Sequence, residues 1–301
     1  TYKGKPIVFS LGNFLFNGFD TEATTTGWVL SVKLSREAVR AWRPPVARLD
    51  LASDDEVPAI VELLDEHRTE AVIHLAARKD VGESVARPLW YYEQNVTGLA
   101  HLLRAVRRAG VGRVVLSSSA AVYGSVEGAR VAESAPTVPV NPYGRTKLAG
   151  EWLLRDAARA DGLRAVSLRY FNVAGAGWPD LGDPGVANLV TIAIDRWTRG
   201  LPVQVHGTDY PTSDGSCVRD YVHVADLAAA HLSALDHLEG TAPTPDALNI
   251  GTGRGFSVLE MLDALAAASG GRAGRVEHGP RRPGDPAQVV ADPAVARRTL
   301  G

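Results

Sequence analysis

The chain has 301 residues, 45% of them hydrophobic, with 32 Lys+Arg against 34 Asp+Glu and a formal net charge of -2. That length and core content suit one large α/β domain or two small ones, and the charge balance gives no reason to expect nucleic acid or an anionic membrane as partner. The single cysteine, Cys217, excludes an internal disulfide and argues against a cysteine-based metal site, so no metal is expected and a reducing cytoplasm is the simplest setting. No stretch approaches the ~18 apolar residues of a membrane span, and the start does not read as a signal peptide. A first residue of Thr1 and a sole methionine at Met261 read as a fragment or a processed product.

Four of the six phenylalanines, Phe9, Phe14, Phe16 and Phe19, and three lysines, Lys3, Lys5 and Lys33, fall in the first 33 residues. KGKPIVFSLGNFLF, TTTGWVLSVKL and VRAWRPPVARL read as short strands and turns. The rest is rich in Ala, Arg and Val, and the seam falls between about Ser35 and Asp55. Residues 1–50 form an unrelated β-rich segment in this reading. Residues 51–175 and residues 176–301 are read as two further regions.

Beyond the seam the chain reads as repeated β-α units. Ala71 to Leu75 is a short apolar strand, and Pro88 to Ala109 has helical spacing stopped by Gly110 and Gly112. Arg113 to Leu116 is a second buried strand running into Ser117, Ser118 and Ser119. Tyr143 to Ala160 is a helix entered from Asn141-Pro142, and Ala165 to Tyr170 a third strand running into Phe171-Asn172. This alternation predicts an α/β fold with a parallel sheet covered on both faces, whose ligand lies beyond the carboxyl ends of the strands. Those ends lead to Lys79, Ser119 and Asn172.

From position 34 onward only Lys79 and Lys147 are lysines; every other strong cation is arginine. Arginine cannot lose its proton and presents a wide fork, so two surviving lysines mark places where a compact point charge is needed. Lys147 lies four residues after Tyr143, on the same helix face. A tyrosine alone titrates near ~10 and is a poor base; an adjacent ammonium should lower that value, and a hydroxyl such as Ser119 can bond both the phenol and a substrate alcohol. The result suits a general base for an alcohol being oxidised by a nicotinamide. Spacing alone is weak: 8 tyrosines and five lysines give about 0.13 such pairs by chance. A surface Tyr–Lys pair is therefore the default until its position after SSSAAVYG, at the right point of a β-α series, is added.

From about Glu56 to Gly301 the chain resembles the UDP-glucose 4-epimerases, extended short-chain dehydrogenases of the NAD-dependent epimerase/dehydratase family. The strings that carry the resemblance are VIHLAARKDVGESVARPLWYYEQNV, VVLSSSAAVYG, NPYGRTK, LRYFNVAGA, HGTDYPTSDGSCVRDYVHVADLA, LNIGTG and PRRPGD. DYPTSDGSCVRDY discriminates best, because related sugar-nucleotide dehydratases share the Ser, Tyr and Lys and usually lack it.

The resemblance implies a Rossmann-like parallel sheet lacking its usual first β-α-β unit, with residues 51–175 as a partial dinucleotide-binding domain, residues 176–301 as a smaller C-terminal α/β region that binds the sugar nucleotide, and bound NAD as cofactor. It implies that Tyr143 takes the sugar 4-hydroxyl proton with Ser119 assisting, and that Lys147 holds the nicotinamide ribose. Leu75, Ala76, Ala77 and Lys79 would line the cofactor, with Asn95, Ser117 and Tyr170 alongside and Phe171 near the nicotinamide. Asn172, Asn188, Leu189, Gln204, Val205, His206, Arg219, Arg282 and Asp285 would hold the uridine diphosphate and sugar, with Ser119. Two arginines facing a diphosphate make physical sense, although both could be ordinary surface residues, and His74 reads as a core histidine. Val289 falls where the family often has tyrosine, and the smaller valine would leave room for N-acetyl sugars.

No G-x-x-G-x-x-G or G-x-G-x-x-G occurs near the front. GTGRG at Gly251 to Gly255 would need its third glycine at 256, which is Phe256, and it matches the family's own late LNIGTG element. It is not read as a phosphate cradle. YKGKPIVFSLGNFLF resembles the tail of capsule or poly-γ-glutamate biosynthesis proteins with a metallophosphoesterase-type domain, so the strand at Ala71–Leu75 is expected to lack its natural neighbour, with the apolar VFSLGNFLF as the candidate cover for that edge. Two functions follow. One is an NAD-dependent epimerase interconverting UDP-galactose and UDP-glucose through a 4-keto sugar, with a second copy of the chain as candidate protein partner. The other is an inactive or weakly active fusion that binds UDP-sugar without NAD; another NDP-sugar epimerase or dehydratase is a further alternative.

Overall fold

The computed structural model describes residues 50–126, 128, 130–177, 183, 185–271, 274–282 and 285–301, and the backbone of three strands before them. Those three are β1 (Ile7–Leu11), β2 (Gly27–Val32) and β3 (Ala47–Leu49). The remainder of residues 1–49, and with it the reading of that segment as a capsule-protein tail, lies outside the described residues.

Next come α1 (Val57–Glu66), β4 (Ala71–His74), α2 (Val81–Ala86), α3 (Pro88–Tyr92), α4 (Gly98–Arg108) and β5 (Arg113–Ser119). Helix α5 (Pro142–Asp161), β6 (Arg164–Tyr170), β7 (Asn172–Ala174), α6 (Leu189–Thr198) and β8 (Val203–His206) follow. The chain continues through β9 (Val218–His223), α7 (Val224–Glu239), β10 (Ala247–Ile250), β11 (Gly255–Ser257) and α8 (Val258–Ala268). It closes with β12 (Val276–Gly279), β13 (Gln288–Val289) and α9 (Ala294–Leu300).

A seven-stranded sheet has the order β10-β6-β5-β4-β1-β2-β3, and β4, β5, β6 and β10 run parallel as the β-α alternation predicts. The outer edge of β4 has a neighbour, and the front segment supplies it. Strand β1 lies parallel to it with Ile7 opposite Ala71 and Ser10 opposite His74. The sheet continues antiparallel from β1 through β2 to β3, and the backbone of β1 satisfies the β4 edge.

Period-two alternation divides the central strands between two layers. Val72, Val114 and Leu116 face a core shared with Ile60, Leu64, Leu99 and Leu102 of α1 and α4. Ile73, Val115, Val166 and Leu168 face the other core, with Leu235 and Leu238 of α7. The run expected as one helix from Pro88 to Ala109 is interrupted by a π turn over Glu93–Thr97, a feature often found at functional sites.

The smaller region is built on β9, flanked by β11 and β13 and joined by β7, with a separate pair β8–β12. Because β7 follows β6 directly, the two regions share a continuous backbone at Phe171. Among the described residues, no helix is long and apolar enough to cross a membrane.

Candidate active site

The C-terminal ends of β4, β5 and β6 deliver His74, Ser119 and Tyr170 to one edge. Helix α5 brings Tyr143 and Lys147 to the same edge. Its start is fixed by Asn141, whose Oδ1 accepts from Gly144 N at 2.8 Å, and by Pro142 in the first turn. Gly144 explains how the helix comes so near. A Cβ there would lie 2.5 Å from the Ala121 carbonyl oxygen and 3.0 Å from Pro139 Cβ, so only glycine lets α5 rest on the turn that follows Ser119. Gly124 closes the other side of that turn, with φ +69° and space for a Cβ only 2.0 Å from the Val138 carbonyl oxygen.

Burial pushes the half-buried Tyr143 phenol above its ordinary value, opposed by a hydrogen bond with the Ser119 hydroxyl. Ser119 Oγ also accepts from Ala121 N at 3.2 Å. Lys147 Nζ donates to the Ser117 carbonyl at 2.8 Å, and burial holds its pKa at about 8, with Glu151 opposing the fall. The expected lowering of Tyr143 by Lys147 is therefore corrected. The ammonium is turned toward the β5 backbone, and desolvation of the phenol dominates.

The other expected cofactor residues divide into groups that can touch a ligand and groups that hold those in place. Leu75 and Ala77 are half-buried and Ala76 buried on the loop after β4, and Lys79 is exposed on the same loop. Asn95, in the π turn, is fully engaged. Its Oδ1 accepts from Arg78 N at 2.7 Å, and its Nδ2 donates to Arg78 O at 3.0 Å and Thr146 Oγ1 at 2.9 Å. It ties that loop to α5 beside Lys147. Phe171 packs with Val122, Tyr123 and Leu148, and Ser117 is buried. His74 is buried at the end of β4, its pKa lowered to about 3 by desolvation and then by Lys147, which agrees with a core histidine.

In the smaller region Arg219 and Asp285 meet as an ion pair, and Arg219 Nη1 also donates to Val218 O at 2.8 Å. Arg282 is exposed and its carbonyl accepts from Asp285 N at 3.1 Å. Asn172 is exposed on β7, in register with Tyr221 of β9. Asn188 caps α6, its Oδ1 accepting from Thr191 N at 3.1 Å, and Leu189 packs beneath it. On β8, Gln204 is exposed and His206 half-buried, whereas Val205 is 1% exposed in the α6–α8 core. Val289 lies in register with Arg219 and packs beside Phe171 and Tyr123.

The GTGRG turn is no phosphate cradle, because its donors are taken. Asp220 Oδ1 accepts from Thr252 N at 2.8 Å and Thr252 Oγ1 at 2.7 Å, and Oδ2 accepts from Gly253 N at 2.9 Å and Ala291 N at 3.2 Å.

Several residues at the site went unread in the sequence. Glu151, one turn after Lys147, holds Arg169 through two bonds of 2.9 and 2.6 Å and accepts from Ser118 Oγ. Arg169 reaches Tyr123 OH at 2.8 Å, which donates to Asn249 Oδ1 at 2.7 Å. Breaking so buried a pair by removing one partner costs about 3–5 kcal/mol. The spacing Tyr143, Lys147, Glu151 on one helix face was the available signal. Tyr221, whose pKa burial pushes up to about 12 against the pull of Arg219, was signalled by the RDY string.

The end of β4 and the loop after it carry two buried nitrogens without a hydrogen-bond partner among the described residues, His74 Nδ1 and Arg78 Nη2. Buried groups of this kind need an occupant that supplies the missing bonds. They fit a polar group lying across the sheet's C-terminal edge, where α/β sheets bind dinucleotides.

A family model described as "NAD dependent epimerase/dehydratase family" matches residues 22–251. The UDP-glucose 4-epimerase of Azospirillum brasilense is 44% identical over 270 residues, covering 88% of this chain and 76% of that protein. Among solved structures, the UDP-glucose 4-epimerase of Stenotrophomonas maltophila, with bound NAD and formylated UDP-arabinopyranose, has a TM-score of 0.78 at 43% identity over 83% of this chain and 75% of its own. That of Brucella ovis, in complex with NAD, has a TM-score of 0.77 at 41% identity over 83% of this chain and 77% of its own. On this sequence and structural likeness, the chain belongs to the NAD-dependent epimerase/dehydratase family.

Proposed function

We propose that the chain interconverts UDP-galactose and UDP-glucose by inverting C4 through a 4-keto sugar. The observation that carries this reading is the placement of Tyr143 against Ser119 on a helix whose Lys147 is anchored at the Ser117 carbonyl. Relatives of this identity that carry the name UDP-glucose 4-epimerase support it.

Tyr143 takes the proton of the 4-hydroxyl, and Ser119, bonded to the same phenol, orients that hydroxyl. Lys147, with one ammonium donor spent on the Ser117 carbonyl, would give another to the ribose, and the loop Leu75–Ala77 with Lys79, Asn95, Ser117, Tyr170 and Phe171 would form the floor and walls. NAD, when bound there, supplies the two-electron acceptor that takes C4 from alcohol to ketone and back. Arg219 and Arg282 hold the diphosphate, with Asn172, Asn188, Leu189, Gln204, Val205, His206 and Asp285 around the uridine and sugar. The N–H donors of the Gly-rich turn found in other dinucleotide folds have no counterpart in this assignment, and the pyrophosphate falls to Lys79 and the buried Arg78 nitrogen.

The non-enzymatic alternative gains nothing from the geometry, because the polar groups needed for turnover converge on one edge. A second copy is proposed as the protein partner, supported by the exposed apolar side chains Val85, Leu89 and Trp152 on the packed helices α2, α3 and α5. The deciding experiment measures nucleotide released from the purified chain and its conversion of UDP-galactose to UDP-glucose, with Tyr143→Phe as control. Conversion should fall by about 10²–10⁴-fold in the variant at unchanged UDP affinity. Equal turnover in Tyr143→Phe removes that residue from the chemistry, and no conversion by the native chain removes the function.

A further inference from the structure

We propose that His231 is a positioning residue of this site. It sets the direction of a buried hydrogen-bond chain so that Tyr170 is committed as a donor to His231 and Tyr143 alone exchanges a proton with substrate. The activity arm of the test rests on the epimerase reading; the geometric arm does not.

His231 lies on α7, which packs against β6, and is 7% exposed. Its Nδ1 is 2.8 Å from the Leu227 carbonyl oxygen one turn back. A carbonyl only accepts, so Nδ1 carries the ring proton. Burial holds the ring's pKa at about 4, so at neutral pH it has no second proton and Nε2 is a bare acceptor. The Tyr170 hydroxyl is hydrogen-bonded to that Nε2, with the two rings edge to face at 5.4 Å, so Tyr170 is the donor. The phenol oxygen then has only lone pairs for its other neighbour, the Ser117 hydroxyl, which must donate to it. The carbonyl of the same Ser117 anchors Lys147.

Two tyrosines thus stand at one site, and the backbone of α7 decides which of them is proton-active. Tyr143 is close enough that its charge would raise the Tyr170 phenol further, beyond the rise already caused by burial. The titratable groups facing this chain are Tyr170 from β6, Tyr143 and Lys147 from α5, and His74 from β4. Without His231, the Tyr170 proton would turn toward Ser117 and Tyr143 and stabilise the Tyr143 phenolate, placing a competing acid beside the base.

The test uses the full purified chain. In ¹⁵N-histidine spectra, the signal missing from His231→Gln should be a neutral ring protonated at Nδ1 down to about pH 5, and its Nε2 resonance should move in Tyr170→Phe. A ring protonated at Nε2, or one titrating near its ordinary ~6.5, overturns the proposal. In the activity arm, His231→Phe should lower kcat about tenfold, less than the ~10²–10⁴ for removing the base itself. It should also move the limb on which Tyr143 loses its proton about one unit lower in pH. UDP affinity should be unchanged, and His231→Gln, whose amide oxygen can accept from Tyr170, should restore both quantities. A His231→Phe protein with lower thermal stability but native kcat and pH profile overturns the proposal in favour of a purely structural role. If the native chain converts no UDP-sugar, the epimerase reading falls and the spectra decide this proposal alone.

Discussion

Gly144→Ala tests how closely α5 must approach β5 for Tyr143 to work. The added Cβ would stand 2.5 Å from the Ala121 carbonyl oxygen, against about 3.4 Å for ordinary contact, so about 0.9 Å must be relieved. Neither side yields easily. The oxygen belongs to the turn after Ser119, and Pro139 Cβ at 3.0 Å blocks a sideways escape. Overpacking of this kind costs about 1–3 kcal/mol, and alanine's better helix propensity returns about 1 kcal/mol, leaving about 0–2 kcal/mol of lost stability. The catalytic cost should be larger. Tyr143 precedes the clash by one residue, and a ~1 Å misplacement of a reacting group can cost about 10²-fold. We expect kcat for UDP-galactose conversion to fall about 10–100-fold while the melting temperature drops by a few degrees at most and UDP binding by calorimetry is unchanged. A folded Gly144→Ala protein with native kcat would refute the claim that glycine here sets the Tyr143–Ser119 approach.

Lys147 gives a stability test with a defined sign. The folded chain releases its proton near pH 8 and the unfolded chain near 10.5, so between those values the unfolded state binds more protons and folding stability rises with pH. Denaturant unfolding from pH 7 to 10 should favour the native chain over Lys147→Met progressively, by up to about 3 kcal/mol; a pH-independent difference would contradict the buried ammonium. Arg219→Ala should weaken UDP binding by about 1.5–3 kcal/mol in calorimetry, and equal affinity would take Arg219 out of the diphosphate site. Val289→Tyr should abolish turnover of an N-acetylated UDP-sugar while keeping that of UDP-glucose, because residue 289 stands in register with Arg219; retained N-acetyl turnover would show that the sugar lies elsewhere.

The residues to which we assign chemistry were readable because their types are uncommon and their spacing is local. Tyr143 and Lys147 share one helix turn, and Ser119 ends a run of three serines after an apolar strand. What escaped depends on long-range contact. Asn95 was expected at the cofactor, and only the folded chain shows all its polar atoms spent on Arg78 and Thr146. Val205 sits on the expected segment, but strand alternation turns its side chain into the core. The sign of the Tyr143 shift was misjudged for a similar reason. Sequence spacing shows that a lysine is near, but neither the depth of burial nor the carbonyl that the ammonium prefers. His231 was invisible because its meaning depends on Tyr170, which is 61 positions away. At the front, the apolar strand motif was legible as a candidate cover for the β4 edge, while its register there was not, because sheet register is a property of two segments.

The Asp220 carboxylate has a consequence for how the molecule comes apart. One oxygen is bonded to Thr252 and the other to Gly253 and Ala291, so a side chain of the small sheet grips the segment leaving β10 of the large sheet and the segment leading to α9. Loosening either region strands a buried negative charge among unpaired amides. The small sheet therefore has no inexpensive way to melt first, and heating should yield a single cooperative transition across residues 50–301, with no intermediate in which the Arg219 strand is free while the parallel sheet persists.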